Sequence, residues 1–385
     1  MTGHTPPRTW TLGAVGVLTA AIVVGLIYEA VAEKRDSARY PPPGKLVDVA
    51  GYRLHFLCKG TSSGPVIVMV SGGGTPAVVS YPMQDRIAEF ARVCSYDRPG
   101  LGWSDAAPKP LTFDDQAADL QTLLRRADIP APYVFVPESF GSLVVIAFAK
   151  IHPEQVAGIA FLDGVDPQLW FQGMVKESGL FARLKGAFIQ AAWKLGIVRI
   201  LFPALVPEWF GALASPIKSQ MTALYSRPNP GYAEALRAYE TTPVSQRPYL
   251  APGTLGNRPV IALSHGRTSP GLSTEFEAGW RSSQYRLAHL AQAGIVVVAN
   301  AADHQIAQEE PELAARTVLR VLEQSVLVQG PNLDPARAAW LNERADERAF
   351  ASGCGYYSRP RIPETWRCIM RIKKEHLEAN CFRGQ

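Results

Sequence analysis

The chain has 385 residues, of which 47% are apolar and 19% charged, with a net charge of +5. That balance excludes a disordered or fibrous chain and leaves room for one large α/β domain with appendages. Residues 331–385 carry ten Lys or Arg against seven Asp or Glu, so about three of the five excess charges sit in a basic tail, and a nucleic-acid-binding face is excluded.

From Trp10 to Tyr28 no residue is charged, a run of nineteen residues. As a helix it is long enough to cross a hydrocarbon core of about 30 Å, so residues 1–35 are read as a transmembrane anchor or a signal segment. The two readings pull on different residues. Ala30, Val31 and Ala32 make the small-x-small pattern of a signal-peptidase site, whereas Glu29 and the lone n-region Arg8 favour an uncleaved anchor. For an anchor, Lys34, Arg35, Arg39 and Lys45 outnumber Arg8 and the α-amino group, which keeps the bulk of the chain cytoplasmic; cleavage would export it. Residues 36–45, with Pro41, Pro42 and Pro43, predict an extended linker.

Over residues 46–330 short β-branched runs alternate with amphipathic stretches, the pattern of a mostly parallel sheet covered by helices on both faces. Strands are predicted at Arg53–Leu57, Val66–Val70, Val93–Tyr96, Tyr133–Val136, Gly158–Leu162, Val260–Leu263 and Ile295–Ala299. Thr112 and Asp115 read as a capping box opening a helix with Leu120, Leu123 and Leu124 on its apolar face. Between about 168 and 250 the rhythm breaks into helices rich in large apolar side chains, an inserted lid. After Gly330 it dissolves into Pro, Gly and charge, and the extension 331–385 has no assigned role.

Ser139 follows the apolar strand Val134–Val136 and precedes an apolar helical stretch from Leu143 to Ile151. A strand, a sharp turn and a helix expose a serine hydroxyl at a helix N-terminus, where backbone N–H groups favour developing negative charge. The turn asks for Gly-x-Ser-x-Gly; here Gly141 is present and Pro137 replaces the first glycine. A serine needs a base to take its proton and a carboxylate to hold that base. His304 follows the last predicted strand and precedes the closing helix, so it is the favoured base, with His265 its rival at another strand end. The loop after Val260–Leu263 offers no Asp, so Asp163, at the end of the preceding strand, is the favoured acid, with Glu275, Glu277 and Asp166 behind it. The run Gly72, Gly73, Gly74 after an early strand lets backbone approach a substrate; Gly73 or Gly74 is expected to give one oxyanion donor and Phe140 the other.

Five cysteines, Cys58, Cys94, Cys354, Cys368 and Cys381, form no CxxC pair and no zinc-ligand spacing. No metal or other cofactor is expected.

The glycine loop, the stretch Tyr96–Asp105 (TyrAspArgProGlyLeuGlyTrpSerAsp), the Ser139 turn and the His304 loop together resemble the α/β-hydrolase superfamily, in particular membrane-anchored bacterial members similar to the proline iminopeptidase and haloperoxidase-like group. The resemblance covers Val47–Pro167 and Arg258 to about Leu327. It implies an eight-stranded, mostly parallel sheet with a lid after strand 6, and the order Ser139, Asp163, His304 for nucleophile, acid and base. It also implies that the strand ending in Cys58 lies beside the strand holding Cys94, close enough for a disulfide. Ser71, Pro137, Glu138 and Ser142 depart from the family pattern, and Ser139 itself argues against haloalkane dehalogenation, which in this superfamily calls for Asp there.

The expected function is a serine hydrolase cleaving a carboxylic ester of a lipophilic acyl group, with a small-molecule or lipid substrate, no nucleic acid and a membrane held through the N-terminus. Two alternatives stand beside it. One is an amidase or iminopeptidase with Glu234 or Glu240 holding a free amine. The other is a degenerate, membrane-tethered binding protein, suggested by Pro137 and Glu138.

Overall fold

The structure is a computed structural model and describes residues 8–61, 64–171, 180–205, 215–227, 242–243, 245, 247–268, 272–329 and 354–355. It divides into two compact units, Pro42–Lys176 with Gly231–Gln385, and Met1–Pro41 with Glu177–Pro230.

The first of these units is built on a single sheet. Its strands are β1 (Lys45–Asp48), β2 (Arg53–Lys59), β3 (Val66–Val70), β4 (Val93–Tyr96), β5 (Tyr133–Pro137), β6 (Val156–Leu162), β7 (Val260–His265) and β8 (Ile295–Ala299), joined by the two-residue β9 (Cys354–Gly355). Their spatial order is β1-β2-β4-β3-β5-β6-β7-β8-β9. β2 runs antiparallel to both neighbours, the pairs from β4 through β8 are parallel, and β9 adds antiparallel to β8. All seven strands read from the sequence are present. β1 was not read, because LysLeuValAsp is too short and too charged at its ends to stand out, and it forms by antiparallel pairing with β2.

The central strands are buried along their whole length, so they read as continuous apolar runs. Successive side chains nevertheless serve opposite faces. Val66, Val68, Val70, Phe135, Ile159 and Phe161 face α3 (Phe113–Arg126), α4 (Gly141–Ile151) and α9 (Thr274–Ala288). Ile67, Met69, Val134, Val136, Ala160 and Leu162 face α2 (Tyr81–Ala88) and α11 (Pro311–Gln329). The capping box of α3 forms as expected: Asp115 N donates to Thr112 Oγ1 at 3.1 Å, and Thr112 N to Asp115 Oδ2 at 2.9 Å. Single turns of helix, α5 (Pro167–Leu169) and α10 (Ile306–Glu309), follow β6 and β8.

The other unit is helical: α1 (Arg8–Arg39), α6 (Leu180–Lys194), α7 (Ile197–Leu205) and α8 (Ser215–Ser226). Within Val15–Arg39 a window of 18 residues reaches a mean hydropathy of 2.1, and the helix is long and apolar enough to be a membrane anchor or signal sequence. Two boundaries differ from expectation. The linker expected from residue 36 begins later, because α1 stays helical through Arg39 and ends only where Pro41 stops it. The inserted segment expected to belong with the sheet domain instead groups with α1 over Glu177–Pro230. The physical reason is an ion-pair cluster: Arg199 on α7 donates to Glu29 at 2.8 Å and to Asp36 at 2.6 Å, both on α1.

Candidate active site

The site lies at the carboxyl ends of β3, β5, β6, β7 and β8, and its geometry begins with two strained residues. Ser139 (φ 46°) and Asp163 (φ 44°) both take left-handed backbone, which costs a non-glycine residue on the order of 1–3 kcal/mol. At the Ser139 turn that conformation is held on several sides. Glu138 N donates to Val70 O at 2.9 Å, Ser139 N to Leu162 O at 3.1 Å and Gly141 N to Glu138 O at 2.7 Å. Gly141 is obligatory, since a Cβ there would stand 2.3 Å from Val70 O. Pro137 is accommodated because it is the last residue of β5, in register with Val70.

The structure brings together the three residues picked from the sequence. His304 Nε2 lies 3.1 Å from Ser139 Oγ, and His304 Nδ1 lies 2.6 Å from Asp163 Oδ2. With Nδ1–H donating to the carboxylate, Nε2 presents its lone pair to the serine hydroxyl. Trp280 on α9 packs edge-on against the His304 ring at 5.0 Å.

His265 does not face Ser139. Its Nδ1 lies 2.7 Å from Asp163 Oδ2 and its Nε2 lies 2.9 Å from Glu277 Oε2, so both ring nitrogens are taken by carboxylates. Its backbone N–H also donates to Asp163 Oδ1 at 3.1 Å. Burial pushes the imidazole down, but the Asp163 and Glu277 carboxylates outweigh it and raise His265 to about 9. Burial alone would raise Asp163, yet its bonds from His265 and His304 hold it at about 2. The alternative acids have other work. Glu277 grips His265, Glu275 is exposed at the start of α9, and Asp166 caps α5 while binding Arg286 at 2.7 and 2.8 Å.

Of the glycine loop, Gly73 is exposed and sits against Phe140, with a Cβ built on it only 3.4 Å from Phe140 Cβ. Gly74 is buried with φ 68°. Among the described residues neither the Phe140 nor the Gly73 N–H has an acceptor, and the two residues are in contact.

Arg98, present in the sequence analysis only as part of the stretch Tyr96–Asp105, is what holds that loop. It is buried, donates to Gly72 O at 2.5 Å and Ser71 O at 3.3 Å, and lies over the Phe140 ring at 4.5 Å. The turn it belongs to is organised by Asp97, which accepts from Ala77 N at 2.6 Å and Trp103 N at 3.1 Å and pairs with buried His55 at 2.8 Å. The sequence signal for Arg98 was its place in AspArgProGly; its partners, 26 and 27 residues earlier, gave none.

Glu138 is partly buried beside Ser139, and burial raises its pKa against the Ser80 hydroxyl, which donates to it at 2.5 Å. Glu234 and Glu240 lie outside the described residues. Among the described residues no group of three or more His, Cys, Asp and Glu side chains is placed to hold a metal ion.

Comparison with known proteins bears on the same elements. The family model for the alpha/beta hydrolase fold matches residues 65–192, from the start of β3 into α6, a third of the chain. The chain has the α/β-hydrolase fold. An uncharacterized protein of Schizosaccharomyces pombe is 29% identical over 237 residues, half of this chain and 42% of that relative, so the chain spans less than half the relative's length. Among solved structures, an epoxide hydrolase from Bacillus megaterium superposes with a TM-score of 0.54 at 15% identity, covering 72% of this chain and all of that one. A thermophilic esterase from Thermogutta terrifontis does so with a TM-score of 0.50 at 20% identity, covering 73% and 97%. At these identities the two structures speak to the fold of this chain and not to its substrate.

Proposed function

We propose that the protein is a serine hydrolase that cleaves carboxylic esters of apolar acyl groups through an acyl-enzyme. The observation that carries this reading is the continuous line from Ser139 Oγ through His304, 3.1 Å away, to Asp163, 2.6 Å further on. In the reaction His304 Nε2 takes the Ser139 proton as Oγ bonds to the ester carbon, and the carbonyl oxygen becomes an oxyanion facing the Gly73 and Phe140 N–H groups. The oxyanion collapses, the C–O bond to the alcohol breaks, and His304 returns the proton to the leaving oxygen. Water then attacks the acyl-enzyme by the same steps, releasing the acid and restoring Ser139.

The chemistry of a serine nucleophile favours acyl substrates over epoxides and alkyl halides. Attack of an alkoxide on a saturated carbon leaves an ether, which water cannot hydrolyse under these conditions, whereas attack on an acyl carbon leaves a cleavable ester. The choice of an apolar acyl group rests on the large apolar side chains that the sequence concentrates between about 168 and 250.

The test is labelling by a fluorophosphonate, followed by hydrolysis of nitrophenyl esters of increasing chain length. Labelling is expected in the wild type and lost in Ser139→Ala and His304→Ala. Hydrolysis is expected to fall by about 10³-fold or more in each variant. A folded wild type that neither labels nor hydrolyses any ester overturns the reading and favours a binding role.

A further inference from the structure

Within the helical unit, α1 changes character at Gly25. The described residues between 13 and 24 are all exposed, including Val15, Val17, Leu18, Ile22, Val23 and Val24. From Gly25 on, one strip of the helix is covered: Gly25, Glu29, Ala32 and Asp36, spaced by four, three and four residues. The cover is the turn between α6 and α7. A Cβ on Gly25 would stand 2.8 Å from Leu195 O, and one on Gly196 would stand 2.6 Å from the Tyr28 ring. Arg199 closes the contact through Glu29, which is only 3% exposed, and Asp36.

That contact sets a depth. About twenty residues, each rising 1.5 Å, cross a hydrocarbon core, and the uncharged run that begins at Trp10 meets its first charge at Glu29. Gly25 lies four residues inside that boundary, or about 6 Å. The Leu195–Gly196 turn touching it therefore reaches below the surface of any bilayer α1 enters. The helices meeting at the turn suit that position. Leu184 and Phe188 on α6, and Ile197, Ile200 and Leu201 on α7, recur at helical spacing and are exposed, Phe188 by 75% and Ile200 by 64%. Lys34, Arg35 and Arg39 on α1 and Lys194 on α6 are also exposed, placing cations where anionic headgroups lie.

We propose that α6 and α7 dock into the same leaflet that α1 enters, with Leu184, Phe188, Ile197, Ile200 and Leu201 among the headgroups and upper acyl chains of an anionic bilayer. α1 is then a packed part of the mature fold and not a removable signal, because cutting after Ala32 would strip Glu29 from Arg199. This inference is independent of the reaction proposed for Ser139.

The test uses the full chain with Cys354, Cys368 and Cys381 changed to Ser and the other two cysteines kept. A single new cysteine is introduced as Phe188→Cys, Ile200→Cys or, as a control in the other unit, Lys109→Cys, whose side chain is exposed. Each carries an environment-sensitive fluorophore in phosphatidylglycerol–phosphatidylcholine vesicles containing a lipid spin-labelled near the headgroup. Labels at 188 and 200 are expected to shift to the blue and to be quenched at least twofold more than the label at 109. Equal quenching at all three sites in carbonate-resistant, inserted protein overturns the proposal. So does a mature protein whose intact mass begins at Glu33, or a dimer in which a second copy shields both labels from the quencher.

Discussion

His265 faces a carboxylate at each ring nitrogen, and only the doubly protonated ring can donate to both. It therefore serves as a fixed cation behind Asp163, in a network where Asp163 accepts from both His265 and His304. The groups facing His265 are Asp163, Glu277 and, beyond Asp163, His304, with Trp280 as the apolar neighbour. The folded value of His265 is raised from 6.5 to about 9, so its contribution to stability is complete below pH 6.5 and is lost as the pH climbs through about 9. Asp163 is lowered from 3.8 to about 2, so its share is complete above pH 3.8 and is lost as the pH falls through about 2. Stability from this network should thus plateau between roughly pH 4 and 6.5 and decline on the alkaline side by up to about 3 kcal/mol. Urea unfolding from pH 5 to 9.5 checks this. The alkaline decline should be present in wild type and flattened in His265→Gln, and an unchanged slope in the variant would remove the cation from the account.

The elements around Ser139 depend on two contacts of different kinds. Gly141 lets α4 begin against the end of β3, so Gly141→Ala must push the helix off Val70 O. A loss of roughly 2–4 kcal/mol is expected, with fluorophosphonate labelling falling in the protein that remains folded. Arg98 fixes the glycine loop through a forked guanidinium that lysine cannot imitate. In Arg98→Lys the loop carbonyls lose their planar partner and the Gly73 donor loses its aim. On the proposed mechanism kcat should drop about 10–100-fold with KM nearly unchanged, because the donor acts on the oxyanion and not on the bound ester. A rise in KM alone would place Arg98 in substrate binding instead. These contacts also mark what could be read from the sequence. The central strands, the α3 capping box and the order Ser139, Asp163, His304 are local patterns, legible in runs of apolar residues and strand-end positions. The grip of Arg98 on Ser71 and Gly72, and of His265 on Asp163 across 102 residues, are long-range meetings created by the sheet order, and no spacing announces them. The extent of the linker failed for a related reason: the composition of residues 36–39 looked extended, but Asp36 is held helical by Arg199 from a distant segment.

At the scale of the whole molecule, the disulfide expected from the family resemblance is formed. Cys58 and Cys94 are directly opposite on the antiparallel pair β2 and β4, with Cα atoms 4.0 Å apart, and they close a separation of 36 residues. It ties β2 to the strand that leads into Asp97 and Arg98, and so to the turn that holds the glycine loop. A loop of that length corresponds to roughly 4 kcal/mol of chain entropy, so Cys58→Ser with Cys94→Ser should lower stability by about 2–4 kcal/mol. The bond also bears on which side of the membrane the sheet unit occupies. Counting basic residues around α1 favours the cytoplasm, but the margin is a few charges, whereas a structural disulfide persists only where thiols are not kept reduced. The expected location is therefore the non-cytoplasmic side, with α1 entering the bilayer from its amino terminus. Trapping thiols with acid in intact cells, then alkylating with a heavy maleimide before and after reduction, reads both points at once. Two additional thiols should become reactive only after reduction, and both should be absent from the double variant. If the pair reacts fully without reduction, the sheet unit faces the cytoplasm and the turn around Asp97 stands without a covalent tie.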